Sequence, residues 1–152
     1  MVRIALAGAG AFGEKYLVAL KNIDGVEIVS IISRTGKPAA AVAAKYGARH
    51  SSTGPADALA SNDVDAAILC TPTQMHAAQA IACINAGKHL QVEIPLSVSW
   101  AQAKVVVAKQ RETGLTGMVG HTRRFNPLHQ YVPNRIVSGE FAVYGLLGFT
   151  AN

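Results

Sequence analysis

Two hydrophobic periods alternate along the chain. The short runs "VRIALA" (2–7), "VEIVSII" (26–32), "VDAAILC" (64–70), "HLQVE" (89–93) and "LTGMVG" (115–120) are rich in valine, isoleucine and leucine. Mostly apolar runs of this length are expected of strands buried on both faces, the habit of parallel sheets. Between them lie alanine-rich segments with helical spacing at 11–22, 37–46, 73–86 and 99–113, and a shorter one at 55–61. Thr73 and Ser99 are the expected N-caps, and Gly25, Gly47, Gly87 and Gly114 fall at or just past helix ends. Strict alternation of strand and helix predicts an α/β fold, a doubly wound parallel sheet with right-handed crossovers.

The tail departs from this rhythm. Asn126-Pro127 opens a helical stretch to about Ser138, Gly139-Glu140 turns, and "FAVYGLLGFT" reads as a long strand. A final apolar strand without a partner in sequence predicts the first strand of a second, α+β domain, with the chain ending just inside it.

Composition narrows the class. Half of the 152 residues are hydrophobic and 15% are charged, which suits a folded domain. No apolar run reaches the roughly 18 residues of a membrane span. The opening "MVRIALAGAGA" runs on into a helical pattern rather than a cleavage site, so a cytoplasmic protein is expected. Cys70 and Cys83 form no C-x-x-C pair and read as buried thiols in a reducing compartment. The net charge of +5 suits an anionic small molecule. Because the basic residues are scattered apart from "HTRRF", a nucleic-acid surface is not expected. Nor do the histidines show the spacing of a metal site.

Gly8-Ala9-Gly10-Ala11-Phe12-Gly13 matches G-x-G-x-x-G, and it stands between a strand and a helix with a second strand close behind. Such a loop lets backbone approach a diphosphate at the positive end of a helix, as in the Rossmann dinucleotide-binding fold. An acidic residue at the end of the second strand would bind a ribose 2′-hydroxyl. Here that position reads Ser33-Arg34-Thr35. Arginine can pair with a 2′-phosphate and the hydroxyls can donate to it, which predicts NADP(H) rather than NAD(H).

Three further polar stretches sit where strands end: "CTPTQMH", "VEIPLS" and "GHTRRFNP". Together, "AGAGAFG", "VDAAILCTPTQMH", "GKHLQVEIPL" and "GHTRRFNP" in this order resemble the Gfo/Idh/MocA oxidoreductases over essentially the whole chain. The resemblance implies that residues 1–125 form the NAD(P)-binding Rossmann domain. Residues 126–152 would then be a linker helix and the start of a substrate and dimerisation domain. It implies that Thr71, Pro72 and His76 lie along the cofactor's ribose and diphosphate, that Glu93, Ile94 and Pro95 stand by the nicotinamide ribose, and that Arg124 lies near the nicotinamide. The family usually carries lysine where this chain has Ile94, so proton handling is expected elsewhere. The main acid–base group is expected in the second domain, leaving catalytic residues unassigned here. His121 and Arg123 are candidates for a substrate carboxylate, a task that fork-shaped guanidinium groups suit.

Within the family, "ALAGAGAFGEKYL" and "VEIPL" imply an NADP-dependent enzyme of aromatic compound catabolism. Its reaction would oxidise the cyclic hemiacetal of a carboxylated semialdehyde to a pyrone dicarboxylate. The resemblance also implies a small anionic substrate and a homo-oligomer formed through the second domain. Two alternatives stay open: a family dehydrogenase acting on a sugar or cyclic polyol, and a module that binds NADP(H) without catalysis.

Overall fold

The computed structural model describes residues 1–54 and 61–140, the side chain of Lys37 excepted. Within Met1–Gly120 the strands are β1 (Val2–Ala7), β2 (Val26–Ile32), β3 (His50–Ser52), β4 (Ala66–Leu69), β5 (His89–Val92) and β6 (Gly117–Val119). The helices are α1 (Ala11–Leu20), α2 (Gly36–Tyr46), α3 (Thr73–Asn85) and α4 (Trp100–Thr113). All strand pairs are parallel, in the order β3-β2-β1-β4-β5-β6. Chain direction across the sheet therefore reverses between β1 and β4, and in such sheets ligands bind outside the strand ends at that reversal.

Side-chain alternation on β1 builds a core on each face of the sheet. Ile4 and Leu6 pack with Leu17 and Leu20 of α1 and Ile28 and Ile31 of β2. Ala5 and Ala7 point the other way, toward Ala77, Ala80 and Cys83 of α3 and Val106 of α4. Small residues on both sides of that contact let α3 lie close over the sheet. Fully buried Leu6, Leu17 and Ile31 each contribute about 1.5–3 kcal/mol by leaving water.

The register of β2 slips by one residue beside β1, from Ile4 opposite Ile28 to Ala5 opposite Ser30. This bulge explains why Ile28 and Ile31, three positions apart, share one face. The Ser30 hydroxyl, at this bulge, is buried and has no hydrogen-bond partner among the described residues.

Two elements differ from the sequence expectation. Strand β3 carries no hydrophobic signal, because "HSS" is a short, largely exposed edge that pairs only with β2. Pro72, not Thr73, holds the N-cap position of α3. Its ring restrains φ near the observed −58° and it has no N–H to satisfy, so the helix starts directly after it. Ser99 does cap α4, its Oγ accepting from the Gln102 amide at 3.3 Å. The first compact unit comprises Met1–Gly120. Finally, most of the expected 55–61 helix and the strand-like run from 141 fall outside the described residues.

The second unit, from His121, contains a 3-10 turn (Thr122–Phe125) and helix α5 (Pro127–Val137). Asn126 caps α5 by accepting from the Leu128 amide at 2.9 Å, with Pro127 in the first turn.

Candidate functional site

The glycine loop joins β1 to α1 at the reversal point. Gly8 adopts φ +97°, a region that L side chains rarely enter, and its amide donates to the Ile32 carbonyl at 2.8 Å. A methyl group on Gly8 would overlap the Cys70 carbonyl, and one on Gly13 would overlap the Gly8 carbonyl. These two glycines are therefore demanded by the protein's own backbone. Gly10 differs: a Cβ there meets nothing within 4 Å. Gly10 caps α1 without a side chain, so the first-turn amides have no side-chain acceptor and face outward. An open, uncapped, positively polarised helix end suits a phosphate.

A cavity of about 330 Å³ opens beside this loop. Its walls come from Gly8, Ala9 and Gly10 of the loop, from Ile32, Ser33 and Arg34 at the end of β2, and from Thr53 after β3. Cys70, Thr71 and Pro72 close it after β4, with Met75 and Gln79 from α3. Size, polarity and position at three strand ends match a small-molecule site. Arg34 is exposed and has no ion-pair partner among the described residues. Thr35 caps α2 with its hydroxyl unused by the helix.

The remaining candidates sit apart from that wall. Phe12 is partly exposed on α1 and meets Tyr16 edge-on at 5.9 Å, while Ala11 is exposed beside it. His76 is buried, with Nδ1 2.8 Å from the Pro95 carbonyl oxygen and Nε2 2.7 Å from the Thr71 carbonyl oxygen. A neutral imidazole can donate to only one of these oxygens; the imidazolium donates to both. In either form His76 ties the loop after β4 to the cis Ile94–Pro95 turn after β5. Ile94 itself is exposed and offers no titratable atom.

Glu93 is nearly buried and accepts a short hydrogen bond from the Tyr16 hydroxyl, which also accepts from Gln91 Nε2 at 2.5 Å. Burial first, and then the bond to Glu93, push the Tyr16 phenol well above its ordinary pKa. Gly120 leaves the room for this pair, since a Cβ there would overlap the Glu93 carboxylate. Tyr16 thus connects the glycine-loop helix to the end of β5. Cys70 is a half-buried thiol pushed up to about 12, by burial foremost and by the charge of Glu93. It is a wall residue and not an activated nucleophile.

His121, Arg123 and Arg124 belong to the second unit, where all three are exposed on or next to its 3-10 turn. Among the described residues no group of three or more His, Cys, Asp or Glu side chains could hold a metal ion. No helix among them is long and apolar enough to cross a membrane.

Thr53, Met75 and Gln79 on the cavity wall, and Tyr16 behind it, were not legible as site residues from sequence. Thr53 follows the unrecognised edge strand. Met75 and Gln79 stand at i and i+4 on one face of α3, a spacing that equally describes a core-facing stripe.

Known proteins share this arrangement. The chain is 72% identical over 142 residues to 4-carboxy-2-hydroxymuconate-6-semialdehyde dehydrogenase of Sphingobium sp., covering 93% of this chain and 45% of that protein. It is 33% identical to scyllo-inositol 2-dehydrogenase (NAD(+)) of Bacillus subtilis, covering 91% and 41%. Among solved structures, KijD10, a 3-ketoreductase from Actinomadura kijaniata in complex with NADP, superposes with a TM-score of 0.83 at 28% identity, covering 91% of this chain and 42% of that one. The chain therefore spans less than half the length of these relatives. The family profile described as an oxidoreductase family with an NAD-binding Rossmann fold, Gfo/Idh/MocA, matches residues 2–121. With the glycine loop, the strand order and the cavity all in agreement, the chain belongs to the Gfo/Idh/MocA oxidoreductase family.

Proposed function

We propose that this chain is the cofactor-binding half of an NADP-dependent dehydrogenase that oxidises the hemiacetal of 4-carboxy-2-hydroxymuconate-6-semialdehyde to a pyrone dicarboxylate. One observation carries the choice of nucleotide. At the end of β2, where a carboxylate would select NAD(H), the cavity wall holds Ser33 and Arg34, whose cation has no ion-pair partner among the described residues. The choice of substrate rests on the 72% identity to the dehydrogenase of that name.

The residues fit the cofactor. Amides of the first turn of α1 receive the diphosphate, and the empty space over Gly10 lets it come close. Arg34 binds the 2′-phosphate, with Ser33 and Thr35 as hydroxyl donors. Thr71 and Pro72 flank the cofactor at the end of β4. Glu93, held by Tyr16, and the Ile94–Pro95 turn, held by His76, shape the nicotinamide side. Bound NADP supplies the hydride acceptor; the protein places it against the substrate carbon. Ile94 adds no acid or base there, and the main acid–base group is proposed to come from the second domain, as in the family the chain resembles. His121, Arg123 and Arg124 are proposed to receive carboxylates of a small anionic substrate, and the whole protein is proposed to be a homo-oligomer.

Calorimetric titration of the chain with NADPH and NADH tests the reading. NADPH is expected to bind at least tenfold more tightly. Arg34→Ala should remove that preference by weakening NADPH roughly ten- to a hundredfold, the loss of a charge-assisted pair of about 1.5–3 kcal/mol. Tighter NADH binding by the unaltered chain overturns the assignment. NADP reduction by the complete protein with the semialdehyde, and not with inositols, tests the substrate.

A further inference from the structure

The floor of the cavity holds a polar group that the fold leaves unused. Gln79 is only 7% exposed, yet it lines the cavity. Its Oε1 is occupied, because the Thr71 hydroxyl donates to it at 2.5 Å. Its Nε2 has no hydrogen-bond partner among the described residues. It is not sealed in the core either: Ser30 Oγ is the one described side-chain atom that is both buried and unbonded. The amide donors of Gln79 are therefore turned into the cavity and wait for an acceptor. A ligand acceptor that reaches these donors replaces solvent and gains about 0.5–1.5 kcal/mol, the net worth of one hydrogen bond.

The walls indicate which part of a dinucleotide reaches Gln79. Neither the Glu93–Pro95 segment nor any residue of β5 or β6 lines this cavity, so it takes the adenosine end and leaves the nicotinamide to the far side of the loop. Ser33 and Arg34 stand at its rim, where the ribose 2′ group belongs. Ile32, Pro72 and Met75 offer apolar surface on which a flat ring can lie, and a thioether packs well against an aromatic. With the ribose at the rim, the edge of adenine opposite its glycosidic bond points to the floor. That edge presents N1, a ring acceptor.

We propose that Gln79 is a base-reading residue: its Nε2, aimed by the Thr71 hydroxyl, donates to adenine N1. This inference rests on the cofactor reading above and deepens it.

The test compares NADP with its 1,N6-etheno analogue, whose added ring blocks N1 and the 6-amino group but leaves ribose and phosphates intact. Titrations use the whole chain, with the unaltered protein and with Gln79→Met, an uncharged replacement of similar length. The unaltered protein is expected to bind NADP about fivefold or more tightly than the analogue, the equivalent of one neutral hydrogen bond. Gln79→Met should weaken NADP about fivefold and leave the analogue nearly unchanged, so that the preference disappears. Equal binding of both nucleotides by the unaltered protein overturns the proposal without needing any variant. So does a Gln79→Met protein that weakens both nucleotides by the same factor, since Gln79 would then act on packing or on another part of the cofactor. Failure of the unaltered protein to bind NADP at all would instead refute the cofactor reading on which the proposal stands.

Discussion

Alanine placed separately at Gly8, Gly10 and Gly13 should divide the loop into two kinds of position. At Gly13 the new methyl would overlap the Gly8 carbonyl and press within 3.2 Å of Leu6 Cδ2. Backbone cannot rotate away as a side chain can, so the loop and α1 must part. Overpacking of this sort costs about 1–3 kcal/mol, and here the upper end applies because the Gly8 carbonyl is backbone and cannot turn aside. At Gly8 the methyl meets the Cys70 carbonyl, and the +97° φ adds about 1–2 kcal/mol for an L-residue. Gly10→Ala has the opposite signature. Losing glycine at an N-cap costs about 0.5–1 kcal/mol. Restricting the unfolded chain returns about 0.4–1 kcal/mol. Its stability should therefore stay within about 0.5 kcal/mol of the unaltered protein, while its NADPH affinity falls roughly ten- to a hundredfold as the methyl holds the diphosphate off the amides. Urea denaturation followed by circular dichroism measures the first quantity, and calorimetric titration the second. A Gly13→Ala protein as stable as the parent would refute the packing account. A folded Gly10→Ala protein with parental affinity would refute the phosphate account.

Further outcomes follow from individual contacts. The Arg3 guanidinium and backbone amide both donate to Asp65, at 2.7–3.0 Å, and hold its carboxyl well below the usual range. A depressed carboxylate stabilises the fold above the unfolded value and loses that contribution as pH falls. The stability gap between the parent and Asp65→Asn should thus be constant near neutrality and shrink below about pH 4; a gap independent of pH would sink this assignment. Burial raises both thiols to about 12, with the Glu93 charge adding to the effect at Cys70. Native protein at pH 8 should therefore react slowly with a disulfide reagent, the thiolate fraction being about 10⁻⁴, whereas denatured protein should react at once. A fast native thiol would contradict the burial. Ser30→Ala removes the orphaned hydroxyl and should raise stability by about 1 kcal/mol in the same urea assay, and a loss would mean that the hydroxyl has an unseen partner.

Amino-acid order alone determined the α/β class, the parallel sheet and the position of the nucleotide loop. Those properties are local: valine-rich runs need burial on both faces, and closely spaced glycines after a strand permit only a few backbone paths. Ser33 and Arg34 were legible as wall residues for the same reason, since the loop that follows the second strand of this fold borders the reversal point. Tertiary structure decided what local pattern could not express. Folding brings the Thr71 and Pro95 carbonyls to the two nitrogens of His76, a tie between strand ends that its place in the sequence could not show. Tyr16 and Glu93 are 77 positions apart and meet only because β5 lies two strands from β1. Gln79 gains its meaning from the Thr71 hydroxyl that occupies one end of its amide and from the cavity that receives the other. A side chain's type states what it can donate or accept; which partner satisfies it depends on neighbours that the fold alone supplies.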